Sequence, residues 1–285
     1  METRNPVIAR MEKEAQRNGG YAGFGATATA TATAPAPAVA GYDVPPTTPL
    51  ETAPASTPMT INDVIVRTAA MFVPLLITAY ITWTVEAPIG VVLIALLVGI
   101  GLGFWGALSS KVRPAVYLAY AAVEGIVIGG LSFWFQEMVN QSSFAQGKEA
   151  TNIVALAVVG TLAAFASVLF LYATRIIKVN GRFKKMMAIA FVAYIGIAVA
   201  SLVASLFGVG DGWGFYGAGG IGILLCVAGV ALAAFSLALD FDAIEQGIAL
   251  GLPEQESWRA AFGLTVTLIW LYLEILRLLA ILNSD

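Results

Sequence analysis

Histidine is absent from this 285-residue chain, and cysteine occurs once, as Cys226. Without an imidazole there is no Ser-His-Asp triad, no HExxH zinc protease and no histidine-based pH switch. A single cysteine excludes an intramolecular disulfide framework and a cysteine-rich metal site. We therefore predict no resident cofactor and no resident metal.

Charged residues are also scarce. They form 12% of the sequence, against 59% hydrophobic residues, and the mean hydropathy is +0.83. Soluble domains carry about 25% charged residues, so this composition is typical of a membrane protein whose partner is the lipid bilayer. The net charge of -3 and the lack of a basic stripe argue against a nucleic-acid partner.

The N-terminal part has few large apolar side chains. Residues 1–59 are rich in alanine, threonine and proline, as in ATATATATAPAPA at 26–38. Such a segment cannot bury enough apolar surface to fold alone, so we predict a disordered tail. Residues 60–285 form the second predicted domain.

Long apolar segments fill this second domain. Each is close to the roughly 20 residues that a transmembrane helix needs. Their ranges are 68–86, 89–109, 115–136, 151–173, 186–208, 216–246 and 260–283. The predicted fold is all-α, a polytopic membrane bundle of seven transmembrane helices.

Lysine and arginine predict the orientation of this bundle. With the N-terminus in the cytoplasm, 13 of the 15 basic residues lie on the cytoplasmic side; the exceptions are Lys148 and Arg277. By the positive-inside rule we predict a multi-pass plasma-membrane protein with its N-terminus inside and Asp285 outside.

The sequence contains no complete catalytic motif. GVGD at 208–211 matches the motif of intramembrane aspartyl proteases, which need a second aspartate, as Tyr-Asp, in a neighbouring span. Here Tyr-Asp occurs only at Tyr42 and Asp43, in the tail. We therefore expect that the chain is not an enzyme.

Charge within or beside the apolar segments is costly unless it has a partner or a function, and some of the charged residues there are candidates for a function. They are Glu124, Asp240, Asp242, Glu245, Glu274 and Arg277. For Glu124, a structural hydrogen bond to a neighbouring helix and a functional role are both open.

Asp240 and Asp242 belong to opposite faces of one helix, because two residues correspond to about 200° around the axis. Asp242 shares its face with Glu245, so we predict Asp242 at the wet rim and Asp240 toward the interior. Glu274 and Arg277 share a face of the last segment. Either they neutralise each other as an ion pair, or Glu274 is a working carboxylate.

Two stretches carry a family resemblance: LDFDAI at 239–244 and LYLEILRLLAIL at 271–282. With the seven short-looped spans, they resemble the Bax inhibitor-1 family from about Thr60 onward. The resemblance implies a bundle that leaks calcium and is closed by a pair of acids that act as a pH-sensitive latch. Carried over, the pair is Asp240 and Glu274. Two carboxylates in low dielectric share a proton, and oxygen ligands suit calcium.

The last segment departs from the family pattern. Glu274 stands where the family has aspartate, and Arg277 follows it after three residues instead of about ten. If the arginine is the anchor, Thr267 takes the acid position and the paired latch is lost. We prefer Glu274, because Leu-Tyr-Leu precedes it directly.

The predicted function is a pH-sensitive leak channel or exchanger for calcium ions or protons, closed by Asp240 and Glu274. The only expected ligand is transiently bound calcium. A different class of function is the alternative: a non-conducting regulator that binds another membrane protein, such as a quality-control protease.

Overall fold

The computed structural model of the chain describes residues 57–209, 214–217 and 219–284. The predicted tail up to residue 56 and Asp211 of the GVGD motif lie outside this part. Within it, seven helices are long and apolar enough to cross a membrane, so the predicted all-α bundle is confirmed. The helices are α1 (Ile61–Thr84), α2 (Ile89–Leu108), α3 (Pro114–Ala145), α4 (Ile153–Ala173), α5 (Gly181–Leu206), α6 (Gly220–Ala249) and α7 (Ser257–Ser284).

Helices α1 and α3 extend furthest beyond their predicted apolar segments. Helix α1 starts at Ile61 because the Thr60 hydroxyl accepts a hydrogen bond from the Asp63 backbone N–H at 3.3 Å, and the Asp63 carboxylate accepts one from the Thr60 N–H at 2.9 Å. This capping box satisfies two free N–H groups. Helix α3 continues to Ala145 through a polar stretch in which Gln141 donates to Glu137 at 3.1 Å.

Helix α7 lies at the centre of the bundle. It packs against α1, α3, α4 and α6, whereas α2 packs on α3 and α5 packs on α6. Its residues Ala261, Leu271, Leu276 and Ala280 are fully buried. Because other helices surround α7, polar side chains along it such as Thr267 and Glu274 are buried against protein.

Glycines allow α3 to approach α1 closely. A Cβ on Gly125 would lie 2.3 Å from the Leu75 carbonyl oxygen, and one on Gly129 would lie 2.3 Å from that of Ala79. Gly125 and Gly129 form a GxxxG motif, which in membrane helices brings two helix backbones close together.

The loops 109–113, 174–180 and 250–256 lie at one end of the bundle, which we call the basic end because the first two of them carry Lys111, Arg113, Arg175 and Lys178. There, Met59 N–H donates to the Leu252 carbonyl at 2.7 Å, and Glu254 N–H donates to that of Thr57 at 2.8 Å. Arg67 forms an ion pair with Glu254 at 2.5 Å. The packed bundle thus includes residues 57–59, which the sequence analysis assigned to the tail.

Candidate functional site

Asp240 lies where α6 contacts α7. Its Oδ1 is 3.8 Å from the position that a Cβ on Gly263 would take, so the small residue leaves room for the carboxylate. The Thr267 hydroxyl donates to the Gly263 carbonyl at 3.2 Å and lies beside the same carboxylate. The other oxygen, Oδ2, is buried and has no hydrogen-bond partner among the residues that the structure describes. Asp240 thus faces inward, and one of its two carboxylate oxygens has no hydrogen-bond partner among the described residues.

A small apolar cluster closes the bundle between Asp240 and the basic end. It consists of Met59, Val64 and Ile244, all buried. Ile244 lies one helical turn below Asp240 on the same face of α6. Along α6, Ile244 of this cluster therefore lies between Asp240 and the basic end.

Glu274 lies at a different level of the bundle. Its Oε1 accepts hydrogen bonds from Tyr194 Oη of α5 and from Trp270 Nε1 at 3.1 Å. Its Oε2 is buried without a partner in the described ranges. The carboxylate lies against Gly229, where a Cβ would stand 2.7 Å from its carbon atom.

The structure does not bring Asp240 and Glu274 together. Gly229, which Glu274 touches, precedes Asp240 by eleven residues on α6, a separation of about 16 Å along the axis. The residue of α7 that faces Asp240 is Thr267. Of the two alignments that the sequence left open, the one with Thr267 opposite Asp240 matches the observed geometry.

Arg277 binds Tyr216 instead of pairing with Glu274. Its Nη2 donates to the Tyr216 carbonyl at 3.3 Å, and its guanidinium lies 3.9 Å from the centre of the Tyr216 ring. No ion pair between Glu274 and Arg277 occurs in the described part of the chain. The self-neutralising pair that the sequence analysis left open is therefore not formed, and the arginine holds the short turn before α6.

The other two acids of α6 lie at the basic end. Asp242 pairs with Lys184 at 2.7 Å, and Glu245 pairs with Arg175 at 2.5 Å. Hydrogen bonds from Arg175 to Glu245 raise the pKa of the guanidinium, so it stays charged. Glu245 therefore fastens the end of α6 to the loop between α4 and α5, and Asp242 fastens it to the first turn of α5.

Glu124 is buried between α3 and α2, with 8% of its surface exposed. It hydrogen-bonds to Tyr120 on its own helix. A Cβ on Gly99 of α2 would lie 2.7 Å from its Oε1. The contact is between helices α2 and α3 and is separate from both Asp240 and Glu274.

Tyr194, Tyr216 and Thr267 complete these sites, and the sequence analysis gave a role only to Thr267. The sequence around a tyrosine in an apolar segment does not indicate that the tyrosine contacts a buried carboxylate on another helix. In the ranges that the structure covers, no three acidic or cysteine side chains lie close enough to hold a metal ion.

Comparison with known proteins adds one match. The family model described as Bax inhibitor 1 like matches residues 5–284. No curated protein matches the chain.

Proposed function

This chain belongs to the Bax inhibitor 1-like family, and we propose that it is a pH-sensitive cation leak of the membrane in which Asp240 is the gating carboxylate. The observation that carries the proposal is the buried Oδ2 of Asp240, which lacks a hydrogen-bond partner within the described residues. An ionised carboxylate in such a place is costly, so it holds a proton, or else it attracts water and a cation.

The neutral and ionised forms of Asp240 favour different arrangements of α6 and α7. A protonated carboxyl is uncharged, so the helices stay packed around Gly263 and Thr267. An ionised carboxylate has only one neutral hydrogen-bond donor beside it. Coordination of a cation therefore lowers the free energy of the ionised form. Opening then requires that Ile244 of α6 move away from Met59 and Val64.

The ion that we propose is calcium, because the groups at this point offer oxygen atoms. Asp240 supplies a carboxylate and Thr267 supplies a hydroxyl, and hard cations prefer such ligands. Calcium is here the transported ion, not a bound cofactor. The gate differs from the one expected from the sequence in that Asp240 acts without Glu274.

Flux through purified protein in liposomes tests the proposal. Liposomes that enclose a calcium indicator are exposed to calcium at stepped pH, with wild type, Asp240→Asn and Asp242→Asn. We expect wild-type flux to rise with pH, because the ionised carboxylate is the form that accepts a cation. Asp240→Asn abolishes this dependence. Asp242→Asn, which removes the partly buried partner of Lys184 outside the gate, changes flux only slightly.

Two outcomes would overturn the gate. If Asp242→Asn removes the pH dependence and Asp240→Asn does not, the controlling group lies at the rim. If wild-type protein passes no calcium at any pH, the leak is refuted and the non-conducting regulator becomes the better proposal. Co-purification with a membrane protease would then be the next measurement.

A further inference from the structure

A large groove runs between α1 and α4. Its volume is about 1180 Å³. Leu76 and Tyr80 of α1 form one wall, Val158 and Leu162 of α4 form the other, and Ile269 of α7 belongs to the floor. We call it the α1–α4 groove. It opens sideways at membrane depth and reaches from one end of the bundle to the other.

The polar atoms inside the α1–α4 groove already have partners within the protein. The Thr161 hydroxyl donates to the Ala157 carbonyl at 2.7 Å, and the Thr68 hydroxyl donates to that of Val64 at 2.8 Å. Ser132 and Tyr272 share a hydrogen bond of 2.7 Å. Ordered water needs two to four polar partners, so the groove offers water no stable position.

Among the residues that the structure describes, charged groups line the groove only at its basic end. Arg175, Glu245 and Tyr172 line it there, and the Arg175 side chain is 67% exposed. At the other end lie Tyr80 and Trp83, residue types that mark the membrane interface. The groove therefore spans the hydrocarbon layer and ends in headgroup-type surroundings.

An apolar groove at this depth is filled by hydrocarbon, because empty space forfeits van der Waals contact. We propose that the α1–α4 groove binds a phospholipid, with an acyl chain between Leu76 and Leu162 and the phosphate at Arg175. A guanidinium has five N–H donors, and Glu245 takes two of them. The remaining donors and the exposure of Arg175 suit a phosphate, preferably that of an anionic lipid.

Photocrosslinking in liposomes tests this site. The probe is phosphatidylglycerol with a diazirine in the acyl chain, and the labelled residues are identified by mass spectrometry. We expect labels on the groove walls of α1 and α4. Leu162→Trp fills the groove and lowers this labelling severalfold. The matched control is Leu97→Trp on α2, outside the groove; Leu97 and Leu162 are 70% and 62% exposed.

The headgroup is tested with phosphatidylcholine that carries the same diazirine chain. In wild type, we expect the anionic probe to label the groove severalfold more strongly than the zwitterionic one. Arg175→Gln removes this difference without loss of the monodisperse protein. Equal labelling by both probes in wild type overturns the phosphate contact at Arg175.

Three other outcomes overturn the groove as a lipid site. Labelling spread evenly over α2 and α4 indicates ordinary surrounding lipid. Equal labelling of Leu162→Trp and Leu97→Trp shows that the groove is not the point of contact. Crosslinks between α1 and α4 of two molecules, formed in a parallel sample by a bifunctional reagent, indicate a second copy as the occupant. None of these readouts depends on calcium flux, so the lipid site and the gate fail separately.

Discussion

The carboxylate of Glu274 occupies the space that a side chain at Gly229 would need, with its carbon atom 2.7 Å from the missing Cβ. Tyr194 Oη lies 2.6 Å from the same Cβ position at Gly229. Helices α5, α6 and α7 therefore converge on one carboxylate, well away from Asp240. The two acids of the family-like motifs belong to separate sites in this protein.

Because Asp240 and Glu274 are far apart, we expect substitutions of these two acids to have additive effects on flux. They act about 16 Å apart along α6, and substitutions this distant add within roughly 0.3–0.5 kcal/mol. We expect the changes in log flux from Asp240→Asn and Glu274→Gln to sum in the double variant. Liposome flux at one fixed pH measures this. A double variant that matches Asp240→Asn alone would restore the shared-proton latch.

A second acid opposite Asp240 should create the pair that is missing. In Thr267→Asp, two carboxyl groups face each other at the contact of α6 and α7. They resist joint ionisation, so the flux onset moves to higher pH. Thr267→Asn is the matched neutral control. Identical pH profiles for the two variants would mean that residue 267 does not face the gate.

Close packing of α3 on α1 predicts an unequal response of two glycines to alanine. In Gly129→Ala the new Cβ would lie 2.3 Å from the Ala79 carbonyl oxygen, so the helices must separate. We expect a loss of about 1–3 kcal/mol, seen as a lower Tm in detergent. Gly196→Ala on α5 meets no atom within 4 Å and should leave Tm nearly unchanged. Equal shifts would contradict the close contact.

The orientation of the chain is open to cysteine labelling, because Cys226 is buried and gives little background. With the predicted orientation, a membrane-impermeant maleimide labels Lys148→Cys in intact cells. It labels Lys178→Cys only after the cells are permeabilised. The reverse pattern would invert the whole bundle and place the basic end outside, against the positive-inside rule.

The number and order of the helices could be predicted from the sequence, because long apolar segments and short separators are local features. The ends of α1 and α3 could not be predicted from hydropathy. Helix α1 gains its first turn from Thr60 and Asp63, and α3 gains its last turns from hydrogen bonds such as Gln141 to Glu137. These are polar interactions that a search for apolar runs ignores.

The site was predicted in part for a similar reason. Helical periodicity separates Asp240 from Asp242, and the structure places the first toward α7 and the second beside Lys184. Which residue of α7 faces Asp240 depends on how two helices slide along each other. That offset comes from packing at Gly263 and at Gly229, and no local pattern contains it.

The central position of α7 has a consequence for how the protein is made. Helices α1 and α3 enter the membrane long before the ribosome reaches α7, yet both pack against it. Until then the early helices surround an unfilled centre and expose surfaces meant for a partner that has not been synthesised. Contacts so distant in sequence form late, and we expect lipid to occupy that place until α7 is made.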